Sequence, residues 1–168
     1  MIKDKVALVT GGTRGIGKSI AQTFAANGAK VIFTYHSSTA AAQEIEQWGK
    51  ENHYEIFSIQ ADASKFSDAE KSISFTLEKF HRLDILVNNA GITRDNLLLR
   101  MSEEDFDSVI SADLKSVFNY TKCAARQMIS QKFGRIINIS SVVGITGNAG
   151  QANYVSAKAG VIGFTKAI

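Results

Sequence analysis

The feature that most constrains this chain is a glycine turn set between an apolar run and an amphipathic stretch. Residues 6–10 read Val-Ala-Leu-Val-Thr; Gly11, Gly12, Thr13, Arg14, Gly15, Ile16 and Gly17 follow, opening onto a stretch with helical periodicity. A short β-branched run without alternation is what a strand covered on both faces looks like. In a strand–turn–helix unit, Gly11 permits the tight turn, Gly15 lets a phosphate approach the backbone, and Gly17 lets the helix pack close to the sheet. The helix N-terminus then presents free N–H groups and the positive end of its dipole to an anion. Positions 11 to 17 are therefore expected to hold a dinucleotide, although Gly-x3-Gly-x-Gly differs from the commoner Gly-x-Gly-x2-Gly.

The alternation continues along the chain. Further apolar runs occupy 30–34, 56–60, 85–88 and 135–140. Helical periodicity covers 15–27, 39–51, 67–80 and 113–131, the first closing at Gly28 as a C′ glycine. Ser102 followed by Asp105 resembles a helix cap. Strands alternating with helices predict an α/β fold: a doubly wound, Rossmann-like parallel sheet in three α/β/α layers. Within 168 residues no linker stands out, so one domain over 1–168 is expected. Five apolar runs fall one short of the common six-strand order. The last residues, Gly163 to Ile168, read as helix without a stop signal, so the domain is expected to be C-terminally incomplete.

Composition removes other classes. Nineteen basic against sixteen acidic residues give a net charge of +3 with the signs interspersed, so no nucleic-acid partner is expected. The single cysteine, Cys123, excludes an internal disulfide framework and suits a reducing compartment. The N-terminus has no signal-like apolar region, and no run of about 18 apolar residues occurs. A cytoplasmic location without a membrane partner is expected, and no metal site.

A site for NAD usually carries Asp or Glu near the end of the second strand, on the ribose 2′-hydroxyl. Here that place reads Thr34-Tyr35-His36-Ser37, and the next acid is Glu44. Arg14, in the turn, suits a 2′-phosphate, so NADP(H) is the expected cofactor. His36 reads as a loop histidine. Asp62 and Ala63 follow the third apolar run, and Asn89, Ala90 and Gly91 follow the fourth, where open α/β sheets bind ligands. Asp62 is a candidate acceptor for an adenine amine or a turn aspartate; Asn89 and Gly91 are candidates for a cofactor floor or plain turn residues.

Ser141 follows the fifth run, and Tyr154 and Lys158 are i and i+4 on one helix face. An ordinary phenol, with a pKa of about 10, is a poor base. A nearby ammonium lowers that value, so Tyr154 is expected to exchange a proton with a carbonyl or alcohol oxygen, with Ser141 hydrogen-bonding the same oxygen.

Taken together, Thr10-Gly-x3-Gly-x-Gly17, Asn88-Asn-Ala-Gly91, Ser141 and Tyr154-x3-Lys158 resemble the short-chain dehydrogenase/reductase family over essentially the whole chain. The segments 88–97 and 147–154 resemble the branch of that family that reduces 3-oxoacyl thioesters held on acyl carrier protein in fatty acid synthesis. The resemblance implies NADPH, an acyl-carrier-protein partner and a homotetramer. It also implies Tyr154 as acid, Ser141 as carbonyl orienter, and Lys158 as ribose holder and tuner of the phenol. The family's usual fourth catalytic group is an asparagine in a water relay; Asp113 stands there instead, so a working but altered site is expected. Its charge stabilises Lys158 as ammonium and disfavours a Tyr154 phenolate; if the relay uses the backbone carbonyl, the side chain matters less. The strand, Pro-Gly segment and lid that follow in the family have no counterpart here. Reduction of another carbonyl and NADP(H) binding without turnover remain the alternatives. Arg126 and Lys132 are candidates to meet the carrier or a solvated helix face. Cys123 reads as a small buried residue, and Phe106, Val109, Ile110, Leu114, Val117 and Phe118 as core or subunit interface.

Overall fold

In the computed structural model, which describes residues 2–168, five strands form the sheet. They are β1 (Val6–Val9), β2 (Lys30–Tyr35), β3 (Ile56–Gln60), β4 (Ile85–Asn88) and β5 (Arg135–Asn138). Their spatial order is β3-β2-β1-β4-β5, and every pairing is parallel. Helices α1 (Gly15–Ala26), α2 (Thr39–Glu51) and α3 (Phe66–Phe80) make the first crossovers. The expected Rossmann-like α/β architecture is present.

Alternation along β1 builds two cores. Ala7 and Val9 face one side with Phe33, Val31 and the small residues Ala21 and Ala25 of α1. Leu8 faces the other with Ile32, Leu86, Ile73 of α3, and Tyr120 and Ala124 of α5 (Ser116–Ser130). The register puts Leu8 between Ile32 and Leu86, and Val9 between Phe33 and Val87, so side chains of like size meet across strands. Each of these large apolar side chains, fully buried, contributes about 1.5–3 kcal/mol. After β3 the chain crosses back to place β4 beside β1. The connections leaving β1 and β4 therefore run to opposite faces, to α1 on one and α5 on the other, and a cleft opens at the carboxyl edge.

Two expectations are corrected. The long helix does not begin at 113. It begins with α4 (Glu103–Ile110), capped where the Ser102 hydroxyl accepts the Asp105 N–H at 3.0 Å. It then passes through a π turn (Ser111–Lys115) into α5. No glycine or proline interrupts this stretch, and the π turn absorbs one extra residue without breaking the helix. Nor is β5 buried on both faces. It lies at the sheet edge, paired with β4 alone, and Ile137 is 43% exposed. Phe118, Ile129, Phe133 and Phe164 border the groove beside it.

At the amino ends of the strands, Asp84 is fully buried. It accepts the Val6 N–H at 2.9 Å and a two-pronged hydrogen bond from Arg82 at 2.8 and 2.6 Å. Burial pulls its carboxyl up, but the Arg82 and Val6 hydrogen bonds and the charges of Arg82 and Lys5 outweigh this and hold it below the ordinary value. Asp84→Ala leaves the Val6 N–H without its side-chain acceptor, and a loss of about 1–3 kcal/mol in urea unfolding is expected. Because the folded pKa is depressed, this contribution is fully present above about pH 4 and is lost as pH falls through the folded value. The gap between variant and unaltered protein should therefore close in acid.

Candidate active site

The glycine turn is shaped by three contacts. Gly11 has φ +69°, a conformation glycine adopts without strain, and its N–H donates to Thr34 Oγ1 at 3.2 Å. A Cβ on Gly17 would run into Gly11 O and the Asn89 amide, so only glycine lets α1 start this close to the sheet. The Thr10 hydroxyl accepts the N–H groups of Asn89 and Ala90, each at 2.9 Å, while Asn89 Nδ2 donates to Thr10 O and Gly11 O at 3.0 and 3.1 Å. The loops after β1 and β4 are thereby stapled together.

The cleft above them has a volume of about 600 Å³, within the range of small-ligand sites. Thr13, Arg14, Gly15 and Ile16 line it from the turn, and Asp62, Ala63, Asn89, Ala90 and Gly91 from the loops after β3 and β4. Gly11 and Gly17 line it too. Gly12 does not. It is buried against Phe33, where a Cβ would approach Phe33 Cβ to 2.5 Å, so packing requires glycine at this position of the turn. Asn89 also differs from a simple floor, because its amide protons are taken by the staple. His36, read as a loop histidine, lines the rim, and its charge acts on Asp62. Burial raises Asp62, but the Ser64 hydroxyl and N–H, at 2.7 and 3.0 Å, together with His36 and Lys65, hold its carboxyl below the ordinary value.

These residues fit a phosphorylated dinucleotide. The N-terminus of α1 opens on the cleft without an acidic residue in its first turn, and Gly15 is exposed with nothing near its missing Cβ. Arg14 is exposed beside it, and no carboxylate stands at the end of β2. The side of the cleft formed by the loop after β3 is braced by Asn119, whose Nδ2 donates to Ala63 O and Ser64 O at 3.3 and 3.1 Å.

The remaining candidates converge at the carboxyl ends of β4 and β5. Lys158, on α7 (Ala152–Ala167), is only 5% exposed. Its ammonium donates to Ile139 O at 3.1 Å, lies 3.2 Å from Asp113 Oδ2, and sits 5.5 Å from the centre of the Tyr154 ring. Asp113 is fully buried on the π turn and its Oδ1 accepts the Ile92 N–H at 2.7 Å. Burial pushes the Asp113 carboxyl up, against the Ile92 hydrogen bond and the Lys158 charge. Ser141 stands beyond β5, before the single turn α6 (Val143–Thr146), with its Oγ 3.4 Å from the Val143 N–H it accepts.

The expected acidification of Tyr154 by Lys158 is corrected. The phenol lies above its ordinary value: burial raises it first and the Asp113 carboxylate second, Asp95 adds to this, and only the Ser141 hydroxyl is resolved as pulling the other way. With a carboxylate behind the ammonium, the pair presents little net charge to the phenol.

Residues not foreseen complete the frame. Asn153 is fully buried; its Nδ2 donates to Arg94 O at 2.8 Å and Asp105 O at 3.3 Å, and its Oδ1 accepts the Tyr154 N–H at 2.8 Å. The Ser140 hydroxyl donates to Lys158 O at 2.8 Å. A polar residue in a helix's first turn signals a cap, but no local signal shows that Asn153 reaches across to Arg94. Arg126 and Lys132 are both exposed, and Lys132 lies just before β5, at the amino ends of the strands and away from Tyr154. Cys123 is half-buried, while Val109 and Val117 are core and Phe106 and Phe118 remain partly exposed.

Comparison with known proteins agrees with this arrangement. The family model described as short chain dehydrogenase matches residues 5–168. A 3-oxoacyl-[acyl-carrier-protein] reductase of Synechocystis sp. is 52% identical over 98% of this chain and 66% of its own length. The 3-oxoacyl-[acyl-carrier-protein] reductase FabG of Staphylococcus aureus is 50% identical over 96% of this chain and 66% of its own. That of Vibrio cholerae is 48% identical over 99% and 67%. The chain thus spans about two thirds of the length of these relatives. With its glycine turn, its strand order and its Tyr154–Lys158 helix all in the places the match covers, the chain belongs to the short-chain dehydrogenase family.

Proposed function

We propose that the chain binds NADP(H) in the glycine cleft and reduces a 3-oxoacyl thioester, carried on acyl carrier protein, to the 3-hydroxyacyl thioester. The observation that carries this reading is the buried Lys158, 3.2 Å from Asp113 and 5.5 Å from the Tyr154 ring, held at the carboxyl edge of the sheet. The names of relatives about half identical to the chain support the substrate.

Bound NADPH supplies the hydride. The turn from Gly11 to Gly17 and the α1 N-terminus hold the pyrophosphate, and Arg14 takes the 2′-phosphate with its fork of donors. Asp62 and Ala63 receive the adenine, and Ala90 and Gly91 lie along the cleft floor. Lys158 holds the nicotinamide ribose. Ser141 donates a hydrogen bond to the substrate carbonyl oxygen and orients it. As negative charge grows on that oxygen, the Tyr154 O–H bond breaks and its proton moves there, giving the alcohol. A phenol held above its ordinary value, as burial and Asp113 hold Tyr154, stays protonated and ready for this direction of reaction. A homotetramer in the cytoplasm is the proposed setting, supported by partly exposed Phe106 and Phe118 on one continuous helix. No helix of the described residues is long and apolar enough to cross a membrane.

Nucleotide fluorescence titration tests the cofactor. NADPH is expected to bind more tightly than NADH. Arg14→Ala should weaken NADPH by about 10- to 100-fold, the size of a charge-assisted hydrogen bond, and leave NADH unchanged. Equal affinities for the two nucleotides in the unaltered chain would contradict the assignment. A panel of ketones separates the substrate classes: preference for 3-oxoacyl thioesters supports the proposal, and preference for sugar, steroid or quinone carbonyls replaces it.

A further inference from the structure

The one carboxylate at the centre of the site does more than the asparagine implied at its position would do. A Cβ on Gly91 would come within 2.5 Å of Asp113 Oδ2, so the turn after β4 passes directly over this carboxyl group. Oδ1 accepts the Ile92 N–H at 2.7 Å. Oδ2 lies 3.2 Å from Lys158 Nζ and has no aligned hydrogen-bond donor among the described residues. Both groups are withdrawn from water, Asp113 completely and Lys158 nearly so. A proton lost from Lys158 would strand a buried carboxylate, and a proton gained by Asp113 would strand a buried ammonium; each charge is held by the other. The π turn carries Asp113 to this meeting point between the cofactor loop and α7.

We propose that Asp113 is a positioning residue whose carboxylate pins the Lys158 ammonium and the Gly91–Ile92 turn together, and whose charge keeps Tyr154 in the protonated form. The groups facing Tyr154 are Lys158 from its own helix, Asp113 from the π turn, Asp95 from the loop after β4, and the neutral Ser141 hydroxyl from beyond β5. Asp113 is itself faced by Lys158 from α7 and by the uncharged Gly91–Ile92 turn. Two carboxylates thus act against one ammonium; burial is the first cause of the phenol's position above its ordinary value, and Asp113 and then Asp95 add to it. The consequence for a reductase is a proton donor that stays loaded into alkaline solution. That meaning rests on the proposed function; the electrostatic arrangement does not.

The test is Asp113→Asn, which keeps an acceptor for the Ile92 N–H and removes the charge. Tyrosine ring-carbon NMR follows the phenol, with Tyr154→Phe assigning it among the four tyrosines. The midpoint for Tyr154 is expected to fall by about one pH unit, and the alkaline limb of the NADPH-driven reaction should move down with it. An unchanged midpoint in a folded variant overturns the proposal. If the variant does not fold, carboxyl-carbon NMR of the unaltered chain decides: Asp113 ionised at pH 7 supports the proposal, and Asp113 protonated there overturns it. Neither spectrum needs turnover. A shifted midpoint without thioester-dependent NADPH oxidation would therefore sink the reductase reading and leave this inference standing.

Discussion

Replacing Tyr154 with Phe is expected to lower the rate of carbonyl reduction by about 10²- to 10⁴-fold, the usual worth of a positioned acid. The ring stays and only the hydroxyl goes. Tyr154 is half-buried on a helix whose first turn is fastened by Asn153 to Arg94 and Asp105, so the backbone there should not shift. NADPH affinity and the urea midpoint should therefore change little while turnover collapses. An equal loss in both rate and nucleotide affinity would mean that the phenol holds the cofactor rather than the proton. A rate within a few-fold of the unaltered protein would remove Tyr154 from the chemistry altogether. The phenol's position above its ordinary value gives the accompanying pH dependence. Reduction should persist to alkaline pH and fail only as Tyr154 ionises, whereas the reverse oxidation, which needs the phenolate, should rise over the same range.

Lys158→Met is expected to be the most destabilising change in the site. It leaves Asp113 fully buried with one hydrogen bond, from Ile92, and an oxygen facing no donor. Removing one partner of a buried pair costs about 3–5 kcal/mol, a large part of the roughly 5–15 kcal/mol that holds a domain together. The sign of its pH dependence follows from Asp113. Without the ammonium, burial raises the folded-state carboxyl further above its unfolded value. The folded variant then binds a proton that the unfolded chain does not, so its stability falls as pH rises. Urea unfolding at pH 5 and pH 8 measures this: the deficit relative to the unaltered protein should be smaller at pH 5. A deficit below about 1 kcal/mol at both values would show that the pair is solvated and weak. A double variant, Lys158→Met with Asp113→Asn, should recover much of the loss, since it leaves no unpaired buried charge and keeps an acceptor for the Ile92 N–H.

Much of the fold was legible because its signals are local. The bounds of α2, β3 and β4 follow from runs of side chains whose periodicity lies within one element, and the glycine turn announces itself between β1 and α1. What escaped depends on partners far along the chain. The cap at Ser102 was legible, but the continuity of that helix with the stretch from 113 was hidden because a π turn resets the periodicity at Ser111. The exposed positions of β5 escaped too, because residues 135–138 do not tell which elements pack on them. In the site, residue types pointed to Ser141, Tyr154 and Lys158, and the family resemblance to Asp113; the structure sets these four near one another at the carboxyl edge of the sheet. Those residue types also gave the opposing pulls of Lys158 and Asp113 on Tyr154, but not which of them prevails. The burial of Tyr154, which raises the phenol first, and the 3.2 Å separation that sets Asp113 behind Lys158 are tertiary facts, and they decide the direction. The packing of Gly12 on Phe33 was likewise illegible, because it comes from the register of β2 against β1.

The most direct test of the account is NADPH consumption followed by absorbance when the chain meets a 3-oxoacyl thioester on acyl carrier protein. One NADPH lost per thioester, with the 3-hydroxyacyl product formed and the reaction silenced by Tyr154→Phe, is the predicted result. NADPH binding in the cleft with no thioester-dependent oxidation would contradict it and leave a nucleotide-binding chain without this chemistry.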